Sequence, residues 1–185
     1  NITMGSPLNQ SPLFSFFQNI FNMQLNAKQD QFHYKDILDL LSHPIFIQFV
    51  GLDLVNSIKG KIVSGNKVFI SSEYILSQIK CGHENICHLF YKWNDSEQVI
   101  SSLRNIIYDL RDSLIGQRNS ISSEVIYTFH KCLRLIDDLF TDHNIFVKVN
   151  TFCKILNQLL SREVIPFSGE PLKGVQLMGV LESRT

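Results

Sequence analysis

Charge is scarce in this sequence. Asp, Glu, Lys and Arg make up 18% of its 185 residues, against about 25% in an average soluble protein. The 17 basic residues balance 17 acidic ones, which excludes the global basic excess of many nucleic-acid-binding domains. No apolar run approaches the ~18 residues a membrane span requires, and no n-region, h-region and cleavage pattern opens the chain, so no membrane is expected as a partner. Four cysteines, Cys81, Cys87, Cys132 and Cys153, show no tight repeated spacing. A disulfide framework is therefore not expected, and a reducing cytoplasm is the expected compartment. Walker and G-x-G-x-x-G loops are missing, as is a nuclease carboxylate–lysine cluster.

Apolar residues are plentiful, at 44% with 14 phenylalanines. That composition excludes disorder over most of the length and suits one domain, or one domain with an appendage. Ser11-Pro12 reads as a cap followed by proline at the first helical position, after which Leu13, Phe16, Phe17, Ile20 and Phe21 share a face. Tyr34 to Leu41 reads as a short helix closed by Ser42-His43-Pro44, and Pro44 opens a further apolar run through Phe49. Leu52 to Ile62 is helical in pattern and ends in the turn signal Ser64-Gly65-Asn66. Residues 68–93 carry two shorter helical pieces, near Glu73–Lys80 and Asn85–Lys92.

The last third is more regular. Asp95 or Ser96 caps a long helix with Val99, Leu103, Ile106, Leu110 and Leu114 or Ile115 close to a heptad seam. Gly116 lies near its end. Ser122 or Ser123 starts the next helix, with Val125, Ile126, Phe129, Leu133, Ile136 and Phe140 on one side. Asn144 is expected to start a third, with Phe152, Leu156, Leu159 and Leu160 inward. Short connections imply antiparallel neighbours. The expected fold is mainly α, a multi-helix bundle with a short β-like pair formed by the two chain ends. Residues 1–10 form a strand-like entry, 11–165 a helical insertion, and 166–185 a turn and strand. The chain begins at Asn1 and stops after the apolar run Val175 to Leu181, as expected of a piece of a larger protein whose sheet it interrupts.

Candidate chemistry is sparse. Cys81, His83, Glu84, Cys87 and His88 lie within eight residues, but zinc sites usually draw two short ligand pairs from distant positions. A helix start with a buried Cys87 and surface histidines is the expectation. Cys132 and Cys153 fall on or beside apolar helix faces, where cysteine acts as a small hydrophobe rather than a nucleophile. Asp137, Asp138 and Asp142 are expected on a solvated helix face and end. Arg104, Arg111 and Arg118 recur every seven residues beside the apolar seam. That stripe could follow DNA phosphates, or it could be an ion-paired face using Asp109 and Asp112.

The segment from Gly169 to Thr185 resembles motif V of the UvrD/Rep-like superfamily-I helicases, V-x-x-M-T-I-H-x-A-K-G-L-E-F. Val175, Met178 and Val180 match its strand, and Arg184 takes the place of the second basic residue. Gly179 stands where threonine is usual, Leu181 replaces the histidine and Thr185 the glycine. The degraded form is similar to that of the AddB-type subunits of Bacteroidetes, and Asn1-Ile2-Thr3-Met4-Gly5-Ser6-Pro7-Leu8 resembles their N-[IV]-T-M-G-x-P-L. The matches cover about 25 residues at the two ends, while the middle agrees only in type and placement with the helical 2B insertion.

The resemblance implies a parent that processes double-stranded DNA ends with an AddA-like helicase–nuclease subunit. ATP and Mg would serve that parent complex, whose PD-(D/E)XK nuclease site falls outside this chain. It also implies a copy that no longer hydrolyses ATP. No catalytic residue, metal or cofactor is expected in the chain itself, and a helical protein–protein interaction module unrelated to DNA is the rival expectation.

Overall fold

Ser11 and Pro12 begin the first helix as their chemistry dictates: the Ser11 hydroxyl accepts the Phe14 N–H at 3.2 Å, and proline takes the first helical position. In the computed structural model, which describes residues 5–79, 84–114 and 120–166, this helix, α1, spans Pro12–Asn26. It is followed by α2 (Tyr34–Ser42), α3 (Pro44–Val50), α4 (Leu52–Gly65) and α5 (Ser72–Ile79). A 3-10 stretch over Glu84–Phe90 leads to α6 (Ser96–Leu114), α7 (Ser120–Asp142) and α8 (Val149–Arg162). The chain is mainly α.

Two short antiparallel ladders punctuate the helices. Strand β1 (Gly5–Pro7) pairs with β4 (Val164–Pro166), Gly5 opposite Pro166 and Pro7 opposite Val164. The Leu8 N–H donates to the Glu163 carbonyl at 3.0 Å and extends the pairing. The segments entering and leaving the helical block therefore lie side by side. Strand β2 (Gln31–His33) pairs with β3 (Phe69–Ser71), turning Phe32 and Ile70 inward as cross-strand neighbours.

Helix ends follow local rules. Asp95 is the cap of α6, its carboxylate accepting the Gln98 N–H at 2.8 Å while Gln98 accepts the Asn94 N–H at 3.0 Å. Asn66 closes α4 in the left-handed conformation, φ 45°. Some boundaries differ from expectation: α4 continues through Ser64 and Gly65, α7 starts at Ser120 rather than Ser122 or Ser123, and Asn144 does not open the last helix. It sits at φ 50° after α7, in a turn where the Ile145 N–H returns to the Phe140 carbonyl at 2.9 Å, and α8 starts only at Val149. Asparagine suits both an N-cap and a left-handed C-terminal turn, and here the second wins.

One apolar core joins the elements. Phe16, Phe17 and Phe21 of α1 lie at its centre, and Phe17 stacks on Phe129 of α7 with ring centroids 4.2 Å apart. Helices α6 and α7 run antiparallel: Arg104 meets Asp137, while Tyr108, one turn on, meets His130, two turns back. Gln24, which is 4% exposed, is a polar side chain locked deep against residues 89–93. Its amide donates to the carbonyls of Leu89 and Tyr91 at 2.8 and 2.9 Å, and its oxygen accepts the Trp93 N–H at 3.0 Å. A single glutamine thus fastens α1 to the end of the 3-10 stretch and the irregular residues that follow it.

Candidate nucleic-acid interface

Arg104 and Arg111 lie on one row of α6 because seven residues make nearly two full turns. The apolar seam of Val99, Leu103, Ile106 and Leu110 is buried, which leaves this row along the outer margin of the α6–α7 contact. Arg118, the third member of the expected stripe, lies outside the described residues.

The structure pairs both described arginines. Arg104 reaches across to Asp137 of α7, with the two side chains 41% and 29% exposed. Arg111 lies 3.3 Å from Asp112, and its guanidinium sits 5.4 Å from the centre of the Tyr108 ring. On α7, Arg134 pairs with Asp138 at 3.6 Å one turn on. Asp112 is therefore a partner as expected, and Asp138 lies on an exposed surface. Asp137 is only partly exposed, since it reaches toward α6. Tyr108 and His130 join the two helices with ring centroids 5.9 Å apart. The antiparallel register sets Tyr127 level with Arg111, and Tyr127 is 63% exposed.

A serine–histidine pair appears that the sequence does not advertise. Ser15 Oγ lies 3.0 Å from His43 Nε2, joining α1 to the start of α3. The surrounding bonds fix which atoms carry protons. The Ile45 N–H donates to His43 Nδ1 at 3.3 Å, so the ring proton is on Nε2 and is donated to Ser15 Oγ. Ser15 in turn donates to the Pro12 carbonyl at 2.8 Å. A general base needs its lone pair facing the serine, and here the lone pair faces a backbone amide. Burial also lowers the His43 pKa, in keeping with a neutral capping ring. This pair is structural.

Two of the cysteines are placed as small hydrophobes. Cys132 and Cys153 are buried. Burial pushes the Cys153 thiol up to about 11. It also raises that of Cys132, where the Glu163 carboxylate adds to the effect and Lys131 opposes it. Cys87 is half-buried rather than buried as expected, and His88 is exposed, both on the 3-10 stretch, whereas Cys81 and His83 lie outside the described residues. Among the described residues, no three His, Cys, Asp or Glu side chains gather as a metal site, and no helix is long and apolar enough to cross a membrane. A recess lined by Phe16, Phe46, Phe49, Leu89 and Asp109 admits little more than one water.

Val175, Met178, Gly179, Leu181 and Arg184, which carry the helicase resemblance, lie outside the described residues. Comparison with known proteins adds no relative: no family model, no curated protein and no solved structure matches the chain.

Proposed function

We propose that this chain is the non-catalytic helical insertion of an AddB-type, helicase-like subunit that takes part in double-strand break repair. In this reading it acts as a rigid block against DNA or against an AddA-like partner. The parent complex uses ATP and Mg, and its nuclease acts on double-stranded DNA ends from a domain outside this chain. Beside the motif V resemblance, the observation that carries the reading is the β1–β4 ladder. A helical block whose entering and leaving segments pair, Gly5 opposite Pro166, can be inserted into a sheet-containing domain without separating the strands it interrupts. The self-satisfied Ser15–His43 pair and the buried, raised thiols of Cys132 and Cys153 fit a block without chemistry of its own.

The test is the coding sequence beyond Thr185, together with co-purification. Leu-Asp-Phe or Leu-Glu-Phe directly after Thr185, a nuclease carboxylate–lysine cluster farther on, and a co-purifying AddA-like subunit are the expected results. An unrelated domain there sinks the reading and leaves a helical interaction module.

A further inference from the structure

We propose that the outer seam of α6 and α7 binds a single strand of DNA, with bases stacked on Tyr108 and Tyr127 and phosphates held by Arg111 and Arg134. The inference rests on the DNA-processing reading only for the choice of DNA over RNA.

Single-strand binding needs exposed rings interleaved with cations. On α6 the order is Arg104, Tyr108, Arg111, at spacings of four and three residues, so a ring lies between two cations over about 10 Å of helix. On α7 the facing row is Tyr127, His130, Arg134 and Asp137. Tyr108 is 40% exposed, with the His130 ring and the Arg111 guanidinium beside it, and Tyr127 is 63% exposed.

The cations are not equivalent. Arg104 is held across the helices by the half-buried Asp137. The other two pairs are open to solvent: Arg111–Asp112 is 60% and 64% exposed, and Arg134–Asp138 is 73% and 62% exposed. Pairs of that kind contribute little to stability, so Arg134 can turn to a phosphate at small cost. Arg111 must also leave the Tyr108 ring, 5.4 Å away, and in doing so opens that ring to a base.

The same carboxylates argue against duplex DNA. Affinity for a duplex comes chiefly from cations that displace condensed counterions. Here Asp112, Asp137 and Asp138 already oppose the arginines, and Glu124 is exposed one turn before Tyr127. A single strand exposes its bases, so the two tyrosines add stacking that a duplex side cannot receive. Two phosphate contacts predict a shallow salt dependence, with a log–log slope of about −1.4.

The experiment is fluorescence anisotropy of the whole chain with labelled dT15, U15 and a 15-base-pair duplex. dT15 is expected to bind at ~10 μM and more tightly than the duplex. Tyr127→Ala and Tyr108→Ala should each weaken dT15 by roughly tenfold, and Tyr127→Phe should not. Tyr127 is mostly solvent-exposed, and unchanged circular dichroism and Trp93 fluorescence would verify that its variants fold. Duplex bound as tightly as dT15, or dT15 binding indifferent to both alanine variants, overturns the inference. Tighter binding of U15 overturns the assignment to DNA. No binding to any of the three overturns it outright. None of these failures alters the coding sequence beyond Thr185, so the inference and the proposed function fall separately.

Discussion

Replacing Gln24 by leucine tests the claim that one side chain ties the first helix to the segment ahead of α6. The substitution keeps much of the volume but removes two donors and an acceptor. It orphans the Trp93 N–H and the Leu89 carbonyl, both in buried bonds, while the Tyr91 carbonyl is only partly buried and can find water. Each orphaned buried group costs about 1–3 kcal/mol, or roughly 2–6 kcal/mol for the two. Added apolar burial returns about 1 kcal/mol, for a net loss of ~1–5 kcal/mol. In a chain of this size each kcal/mol lowers Tm by about 2–4 °C, so a fall of about 2–20 °C is expected.

Trp93, the only tryptophan, is buried beside Phe21 with ring centroids 6.4 Å apart, so its fluorescence in a urea titration reports the same region. Gln98→Leu, at an exposed helix start, is the control and should cost under about 1 kcal/mol. If Gln24→Leu lay within ~0.5 kcal/mol of the parent chain, the fastening argument would be wrong and water must be able to serve these groups.

The remaining predictions concern the histidine, the thiols and the ladder. Because burial lowers the His43 pKa below 6.5, both states are neutral above that pH and the full stability is present. Below it the unfolded chain gains a proton the folded chain resists, so stability falls by up to about 1.4 kcal/mol per pH unit toward the folded pKa. Urea midpoints between pH 7.5 and 5.5 should decline more steeply for the parent than for His43→Asn, and equal slopes would refute this. Cys153, with its thiol near 11 and no exposure to speak of, should resist alkylation at pH 8 until urea unfolds the chain, and mass spectrometry of the native adducts would reveal any early labelling. Gly5→Ala would set a Cβ 2.3 Å from Val164 Cγ1 and 2.9 Å from the Ile165 carbonyl oxygen. It should destabilise the β1–β4 ladder by about 1–3 kcal/mol, read as faster amide exchange at Leu8, whose N–H bonds to Glu163.

What could be read from the sequence was whatever is decided within four or five residues. Ser11 and Asp95 mark helix starts because a cap accepts an amide three positions on. Pro12 and Pro44 do so because their fixed φ suits the first helical position, and Asn66 marks an end because asparagine tolerates the left-handed turn. The Phe and Leu positions follow because a helix repeats its face every three or four residues. Asn144 failed on the same scale, since its residue type serves two kinds of helix end and only the return of the Ile145 N–H to Phe140 separates them. The β2–β3 ladder was not legible: three residues per strand are too few for a period-two pattern to register. Neither Ser15–His43, 28 residues apart, nor Gln24–Trp93, 69 apart, leaves any local signature.

The arginine stripe shows why the interface was only half legible. Its spacing is a property of one helix, and the row lies where the spacing sets it. Whether it can hold phosphate depends on what the facing helix offers, and Asp137, 33 residues beyond Arg104, occupies the most enclosed guanidinium. The phosphate track that the sequence suggests is thereby reduced to the solvent-exposed arginines. The intervening Tyr108, which a search for charge passes over, gains weight in proportion, because stacking does not compete with those carboxylates. The proposed single-strand contact follows from that balance: cations already opposed by carboxylates gain little from a duplex, whereas exposed rings gain from bases already unpaired.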